Sequence, residues 1–454
     1  MFCGAGGMSL GFQAAGFEVV GVIDADPVCA ATVAGNFARL QPGNRPLVLG
    51  GPEKGDARSL DLESLGRQLE PDILIGGPPC QGFSRAGRAK LNSLLEGGFE
   101  SDPRNDLYRR FIEAAACWKP FAVVMENVPG MFSVNGRNLA KAAAGDLAAV
   151  GYEVGYTVLN AAWYGVPQFR ERFFMIGFRT DLDIRPEMPA ATHRTELPSG
   201  YRPARDAQTL PMPFLQHYEL PIKSVADPKA TVTVEEAIGD LPPITQHLEC
   251  KDGPVGSGFR NAVPLKATPG SDFARLMREW PGLGTPATID DHAIRLTPRD
   301  YETFRRMQPG DRYPQAWVIM QQRLVEELER LADAGAGVAK PGTVEYRKLE
   351  RAIVAPYPKD AFPDKWRKLV PNSPCWTIPA HLAKDSYSHI HYDGSQARMI
   401  SIREAARLQS FPDSYAFSGN LGECFRQIGN AVPPLLAKAI GASVGARLRS
   451  SKAV

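Results

Sequence analysis

The residues best suited to covalent chemistry lie in one short run, Gly76-Gly77-Pro78-Pro79-Cys80-Gln81-Gly82-Phe83-Ser84. A thiol attacks only as thiolate and only where a substrate can reach it. Two prolines fix the approach to Cys80, while Gly82 and Ser84 suit a loop that passes close to a ligand and offers it hydrogen bonds. An inert core thiol has no need of such a loop. Glu126, in Glu126-Asn127-Val128, adds a carboxyl group, and a thiol facing the same pocket as an acid can add to an electron-poor ring. In Gln168-Phe169-Arg170-Glu171-Arg172 the alternation places Gln168, Arg170 and Arg172 on one face of an extended segment, suited to phosphate or an exocyclic oxygen. The Gly-rich stretch Phe2-Cys3-Gly4-Ala5-Gly6-Gly7 and Asp24, some 20 residues on, suggest an adenosyl cofactor whose ribose hydroxyls the carboxylate would take.

These groups need elements to carry them. Short β-rich apolar runs (17–23, 72–75, 121–125) alternate with helix-like stretches (27–37, 107–118, 139–150), which predicts βαβ units on a parallel sheet. Cys80 and Glu126 each follow such a run, so both belong at the carboxyl edge of the sheet, where open α/β folds keep their sites. Residues 152–159 and 172–178 continue the strands. From about 185 to 317 prolines are frequent and periodicity is weak, and there only a helix at 234–238 is predicted. An amphipathic helix follows at 318–331. The chain becomes regular again after Ile400, where Val432, Leu435, Leu436, Ala439 and Ile440 repeat at helical spacing behind Pro433 and Pro434.

At 454 residues, 44% hydrophobic and 22% charged, the chain has the make-up of a folded protein of two or three domains, not of a disordered or collagenous one. The net charge of +2 means that any polyanion site must be local. Residues 295–368 hold 15 Lys plus Arg against 11 Asp plus Glu, a local +4 compatible with phosphate contacts. Seven cysteines without a CxxC pair point to reduced thiols and a cytoplasmic location. Neither a membrane span nor a signal peptide is expected. His381, His389 and His391 lack acids or thiols at ligand spacing, so they are read as structural, and no metal is predicted.

Taken in order, Pro78-Pro79-Cys80-Gln81, Glu126-Asn127-Val128, Gln168-x-Arg170-x-Arg172, Arg403-Glu404-Ala405-Ala406-Arg407-Leu408-Gln409 and Gly429-Asn430-Ala431-Val432 resemble the DNA (cytosine-5) methyltransferases. The resemblance covers residues 2 to about 178 and 398 to about 440. It implies an α/β fold: a Rossmann-like S-adenosylmethionine-dependent methyltransferase domain with a mixed, mostly parallel sheet, plus a smaller irregular target-recognition domain. The catalytic domain would span 1–184 and the target-recognition domain about 185–396. A linking motif would occupy 397–428, and a C-terminal helix at 429–454 would return to the catalytic domain.

The resemblance also assigns roles. Cys80 would add to C6 of cytosine, Glu126 would contact N3 and the exocyclic amine, and Arg172 would hold O2, with Arg170 and Gln168 supporting the catalytic loop. Gln81, Gly82, Phe83 and Ser84 would begin the loop that closes behind a flipped-out base. For S-adenosylmethionine, Phe2 would stack on the adenine, Asp24 would bind the ribose and Asp56 the adenine amine. Gly4, Ala5, Gly6, Gly7, Ala25, Ala57, Pro78, Leu107, Asn430 and Ala431 would complete the pocket. The implied partner is double-stranded DNA, bound by a monomer functionally paired with a restriction endonuclease. Two departures stand out. Only Met1 precedes Phe2 where the family has most of a first strand, so either the start is too late or that strand is truncated. Ala25 replaces the tryptophan that often follows the ribose acid. An RNA cytosine-5 methyltransferase and a non-catalytic DNA-binding relative are the competing readings.

Overall fold

Four strands form the central sheet in the order β3 (Ile73–Gly76), β4 (Ala122–Asn127), β7 (Glu171–Arg179), β5 (Tyr152–Asn160). The β3–β4 pairing is parallel, whereas β7 runs antiparallel to both β4 and β5. Beside this sheet β1 (Gly21–Asp24) pairs in parallel with β2 (Leu47–Gly50). The architecture comes from a computed structural model that describes residues 1–79, 107–132, 138–196, 222–249, 262–266, 268–335, 340–360, 365–382 and 387–451.

Both sheet faces are covered, which explains why β4 and β7 are apolar at nearly every position. Val123, Met125, Phe173 and Met175 pack on one face with α4 (Leu107–Trp118) and α5 (Leu139–Ala149). Ala122, Val124, Phe174 and Ile176 pack on the other with α1 (Gly7–Ala14) and the C-terminal helix Pro434–Ser450. The helix predicted from 27 runs as α2, Pro27–Leu40, three residues beyond the prediction, with Asp26 accepting from Val28 N at its start. The strand predicted at 17–23 forms only over Gly21–Asp24, preceded by a lead-in in which Gln41 bonds to both polar backbone atoms of Val19. Neither β2 nor α3 (Leu62–Leu69) was predicted.

Met1 to Cys3 lie between β1 and β3. The Met1 ammonium donates to Ile75 O at 2.8 Å and Cys3 N donates to Ile23 O at 3.2 Å, so the Gly-rich turn is tied to a strand on each side.

The region after β7 is not one body. Strands β8 (Ala191–Arg194) and β9 (Ser224–Ala230) pair in parallel, and β10 (Val263–Pro264) pairs antiparallel with β11 (Thr288–Ile289). Helices α6 (Val234–Ile238), as predicted, and α7 (Asp272–Arg278) share a core with α1 and α2 residues such as Leu10, Val33 and Phe37. A separate core gathers Phe304, Tyr313, Met320, Trp366 and Ile390 around α8 (Tyr301–Arg306), α9 (Tyr313–Asp333) and α10 (Val344–Ile353). The predicted 318–331 helix thus begins five residues earlier, with Pro314 in its first turn where the missing N–H costs nothing. Among the described residues no helix is long and apolar enough to cross a membrane.

Candidate active site

Glu126 sits in the last two residues of β4, and β7 brings Arg172 beside it through the register Asn127↔Phe173. The Arg172 Nε lies 3.1 Å from Glu126 Oε1, the side chains 14% and 13% exposed. Burial pushes the Glu126 carboxyl above its ordinary value, while the charges of Arg172 and then Arg170 pull it partway back. A carboxyl so placed keeps a proton closer to neutral pH than a solvated one does.

The carboxyl end of β3 adjoins this pair. Asn127 Nδ2 donates to Pro78 O at 3.2 Å. A Cβ at Gly77 would stand 3.0 Å from Glu126 Oε2, so only glycine leaves that carboxylate undisturbed. Cys80 follows Pro79 in the chain, but Cys80, Gln81, Gly82, Phe83 and Ser84 lie outside the described residues. Of the described cysteines only Cys3 approaches this edge, and burial pushes its thiol up to about 12, leaving it protonated.

Gln168 and Arg170 differ from the expected ligand-binding face. Both are fully buried. β6 (Gln168–Phe169) ends before Arg170. The Arg170 guanidinium donates to Ile378 O, Gly429 O and Ala431 O at 2.8–3.1 Å. Gln168 Nε2 donates to Leu408 O at 3.1 Å, and its Oε1 accepts from Ile378 N. Only Arg172 of the three meets the acid. The other two are positioning residues that clamp the C-terminal segments onto the sheet.

On the cofactor side, Asp24 ends β1 and accepts Gly4 N at 2.7 Å on one oxygen and Asp26 N at 2.9 Å on the other. Burial raises its pKa and these two donors oppose the rise. The turn is tight: Phe2, Gly4 and Gly6 all have positive φ, at 55°, 53° and 76°. A left-handed Phe is a strained choice held by its surroundings. The Tyr415 hydroxyl donates to Ala5 O at 2.6 Å, and a Cβ on Gly7 would stand 2.2 Å from Val432 O, so C-terminal segments hold the turn from behind. A cavity of about 260 Å³ is lined by Phe2, Gly4, Gly77, Glu126, Asn430 and Ala431, among others, and extends between β1 and β3 toward Trp118. Neither Asp24 nor Asp56 lines that cavity. Asp56 is paired with Arg58 at 2.6 Å, and that guanidinium holds its carboxyl below the usual range. Ala25 is exposed, while Ala57 and Leu107 are buried in the core under the site.

Sequence reasoning missed the network behind the site. Helix α11 (Ile402–Leu408) is buried along its whole length although it carries Arg403, Glu404 and Arg407. Arg403 pairs with Asp291 at 2.6 Å, Arg398 with Glu404 at 2.7 Å, and Arg407 with Asp413 at 2.6 Å and with Asp240. The capping box of Ser401 and Glu404 and the six-residue spacings Arg398–Glu404 and Arg407–Asp413 are local signals, whereas Asp291 and Asp240, over a hundred residues away, leave none. His389 and His391 are buried. One bonds with Ser388 and Trp376 O, and the other accepts Asp393 N while facing Glu404.

The profile of the family described as C-5 cytosine-specific DNA methylase matches residues 1–253 and 289–446. A chain named as a type II methyltransferase of Oceanobacillus iheyensis is 36% identical over 453 residues, covering 97% of this chain and 93% of that one. The type II methyltransferase M.XorII of Xanthomonas oryzae pv. oryzae is 30% identical over 99% of this chain and 84% of its own. A solved structure described as a prophage-encoded DNA modification methyltransferase (E. coli) superposes with a TM-score of 0.62 at 22% identity, over 99% of this chain and 98% of that one. That last likeness carries the fold alone.

Proposed function

The chain belongs to the C-5 cytosine-specific DNA methylase family, and from that premise we propose that it methylates C5 of a flipped-out cytosine in a specific double-stranded DNA sequence through a covalent adduct at Cys80. The observation that carries the reading is the buried Glu126–Arg172 pair at the strand edge from which Gly77–Pro79 leads to Cys80. That edge presents an acid and a guanidinium, and the sequence places Cys80 directly after Pro79 there, the set needed to activate a pyrimidine ring.

S-adenosylmethionine fits the residues present. The Gly4 turn leaves open space where a side chain would stand, the Asp24 carboxylate is fixed by two backbone donors at the end of β1, and the cavity joins Phe2 to Glu126. The cofactor supplies an electrophilic methyl group. Phe2 would stack on its adenine, Asp24 would take the ribose hydroxyls, and Asn430 with Ala431 would close the pocket. Ala5, Gly6 and Gly7 would supply the backbone contacts of the turn, with Ala57, Pro78 and Leu107 beneath.

In the reaction the Cys80 thiolate forms a bond to C6, and the displaced π electrons collect at C5. Glu126 shares its proton with N3, which stabilises that charge, and Arg172 holds O2. C5 would then take the methyl group that the cofactor supplies, the sulfur leaving with the electrons of the broken S–CH3 bond as a neutral thioether. The C5 proton then passes to a solvent-borne base, and the electron pair left behind expels the Cys80 thiolate. A base stacked in a duplex cannot be attacked in this way, so the cytosine must leave the helix. The naming of its relatives as type II methyltransferases supports a place beside a restriction endonuclease; the enzyme is taken to act as a monomer. The contact between Glu126 and Arg172 weighs against a relative that keeps only the fold.

The test is Cys80→Ser with 5-fluorocytosine as trap. A serine hydroxyl is far less ionised than a thiol, so the variant should lose tritium transfer from labelled cofactor while still binding DNA. Wild type should form a covalent band with DNA carrying 5-fluorocytosine, because fluorine cannot leave as the proton does. Substantial methyl transfer by the serine variant would refute the thiol mechanism.

A further inference from the structure

Arg110 and Trp118 stand about two turns apart on α4, on one face of the helix, and that face meets the chain from Ala57 to Gly66. The Arg110 guanidinium donates from Nε to Ala57 O at 2.8 Å and from Nη2 to Leu60 O at 2.5 Å. Its Nη1 donates to Glu113 Oε2 at 2.6 Å, which steadies the group from its own helix. Trp118 donates to Leu62 O at 2.7 Å, and a Cβ on Gly66 would stand 2.6 Å from its ring. Trp118 thus holds α3, and Arg110 holds the turn that leads into it.

That turn lies on the cofactor side. Asp56 O accepts both Ser59 N and Ser59 Oγ at 3.0 Å, which closes the turn on itself. Gly55, just before it, is so close to the end of β1 that a Cβ there would stand 2.1 Å from Asp24 O, so only glycine lets the two backbones meet. Ala57 and Leu60 share an apolar cluster with Phe2 and Ile23. The turn is therefore packed against both residues assigned above to the adenosyl group, Phe2 and Asp24. The acid it carries is Asp56, which Arg58 keeps ionised and which can then only accept. Three donors of Arg58, its backbone N–H, Nε and Nη2, meet this carboxylate. A carboxylate offers about four lone-pair sites, so one more donor can be taken, and an exocyclic amine on a purine is such a donor.

We propose that Arg110 is a positioning residue for the adenine of S-adenosylmethionine: its grip on Ala57 O and Leu60 O holds Asp56 where the carboxylate accepts the adenine amine. This rests on the cofactor reading above. Arg110 itself touches no part of the cofactor and acts through the turn. A donor and acceptor more than about 3.5 Å apart make no hydrogen bond, so a small drift of the turn removes the amine from the binding energy.

Isothermal titration with S-adenosylmethionine and with its analogue lacking the 6-amino group tests this. The proteins are wild type, Arg110→Ala, Arg110→Lys, Asp56→Ala, the double variant Arg110→Ala/Asp56→Ala and the control Glu113→Gln. A charge-assisted hydrogen bond lost from a site weakens binding about tenfold, so wild type should prefer the adenine ligand by about that factor. Arg110→Ala should lose most of the preference while binding the analogue within about twofold of wild type. The double variant should match Asp56→Ala, because both residues act on one hydrogen bond. Arg110→Lys, whose single ammonium cannot fork to both carbonyls, should fall between, and Glu113→Gln should leave both affinities unchanged. Equal weakening of both ligands in Arg110→Ala, the mark of a loosened fold, would overturn the positioning role. So would a wild type without preference, or a double variant showing the product of the two single effects. Should Arg110→Ala fail to fold, a full preference kept by Arg110→Lys would overturn it as well. A wild type that binds neither ligand would instead overturn the cofactor reading on which the inference rests.

Discussion

Glu126→Gln isolates the proton from the shape of the group that holds it. The glutamine keeps the volume and the acceptor toward Arg172, 3.1 Å away in the wild type, yet it has no carboxyl proton to share. Positioned proton transfer typically contributes 10²–10⁴-fold, so kcat should fall by that factor, about 3–5 kcal/mol of barrier. The melting temperature should move little, because the lost attraction is offset by no longer burying a carboxylate. The pH profile gives a second, signed readout. If the protonated acid is the working form, activity falls as pH rises through the Glu126 pKa, which burial has raised. Arg172 is the strongest influence pulling that pKa down, so Arg172→Ala should shift this alkaline limb to higher pH, and Glu126→Gln should abolish it. Tritium transfer at saturating DNA and cofactor between pH 5.5 and 9 reads both. A glutamine variant within about tenfold of wild type, or an alkaline limb that moves to lower pH in Arg172→Ala, would refute the reasoning.

Asp24→Ala should abolish measurable heat of cofactor binding in calorimetry, since it removes the carboxylate at the end of β1; affinity equal to wild type would place the ribose elsewhere. Burial pushes His389 and His391 down to about 4, below an unfolded value near 6.5. Their contribution to stability is thus present above pH 6.5 and lost as pH falls toward 4, and the urea midpoint should be lower at pH 5 than at pH 7. Exchanging residues 295–360 for those of a relative should transfer the methylated sequence with activity intact, as mapped by bisulfite sequencing. Exchanging 185–396 entire should lower the folded yield, because Asp240, Arg278 and Asp291 leave with it.

What the sequence discloses follows from how local each determinant is. Leu107–Trp118 and Val234–Ile238 form as predicted, because apolar spacing within one helix fixes both the element and its buried face. Glu126 at the end of β4 was legible for the same reason: an uninterrupted apolar run must end where the chain leaves the core. β2 is not legible because its four residues are only half-buried, which leaves no alternation to read. α3 does carry a local signal, Asp61 as a cap before Leu62, Leu65 and Leu69. The fate of Gln168 and Arg170 was not legible. Their alternation is real, but the carbonyls that absorb Arg170 belong to Ile378, Gly429 and Ala431, and nothing near residue 170 announces them.

The same distinction of local from distant determinants divides the long variable region. Arg403, Arg407 and Arg398 are each almost fully buried, and such charges are tolerable only when their partners are in place, because a buried charge stripped of its partner costs about 3–5 kcal/mol. Asp240 and Arg278, in the α6–α7 segment, and Asp291, just beyond it, supply or extend those partners. Residues 234–291 are thereby bound to the methyltransferase body, in the core that also holds Leu10 and Phe37. The α8–α10 body has its own core around Trp366, which stacks on Tyr387 with ring centroids 4.6 Å apart. Such a body can exchange surface residues without disturbing Glu126 or Arg172. Its connection to the active edge through β12 (Cys375–Trp376) is short, two residues paired with β6. The preceding segment thus holds α11, and with it Gln168, against the sheet, which leaves α8–α10 as the part whose exchange tests the target-recognition role expected of 185–396.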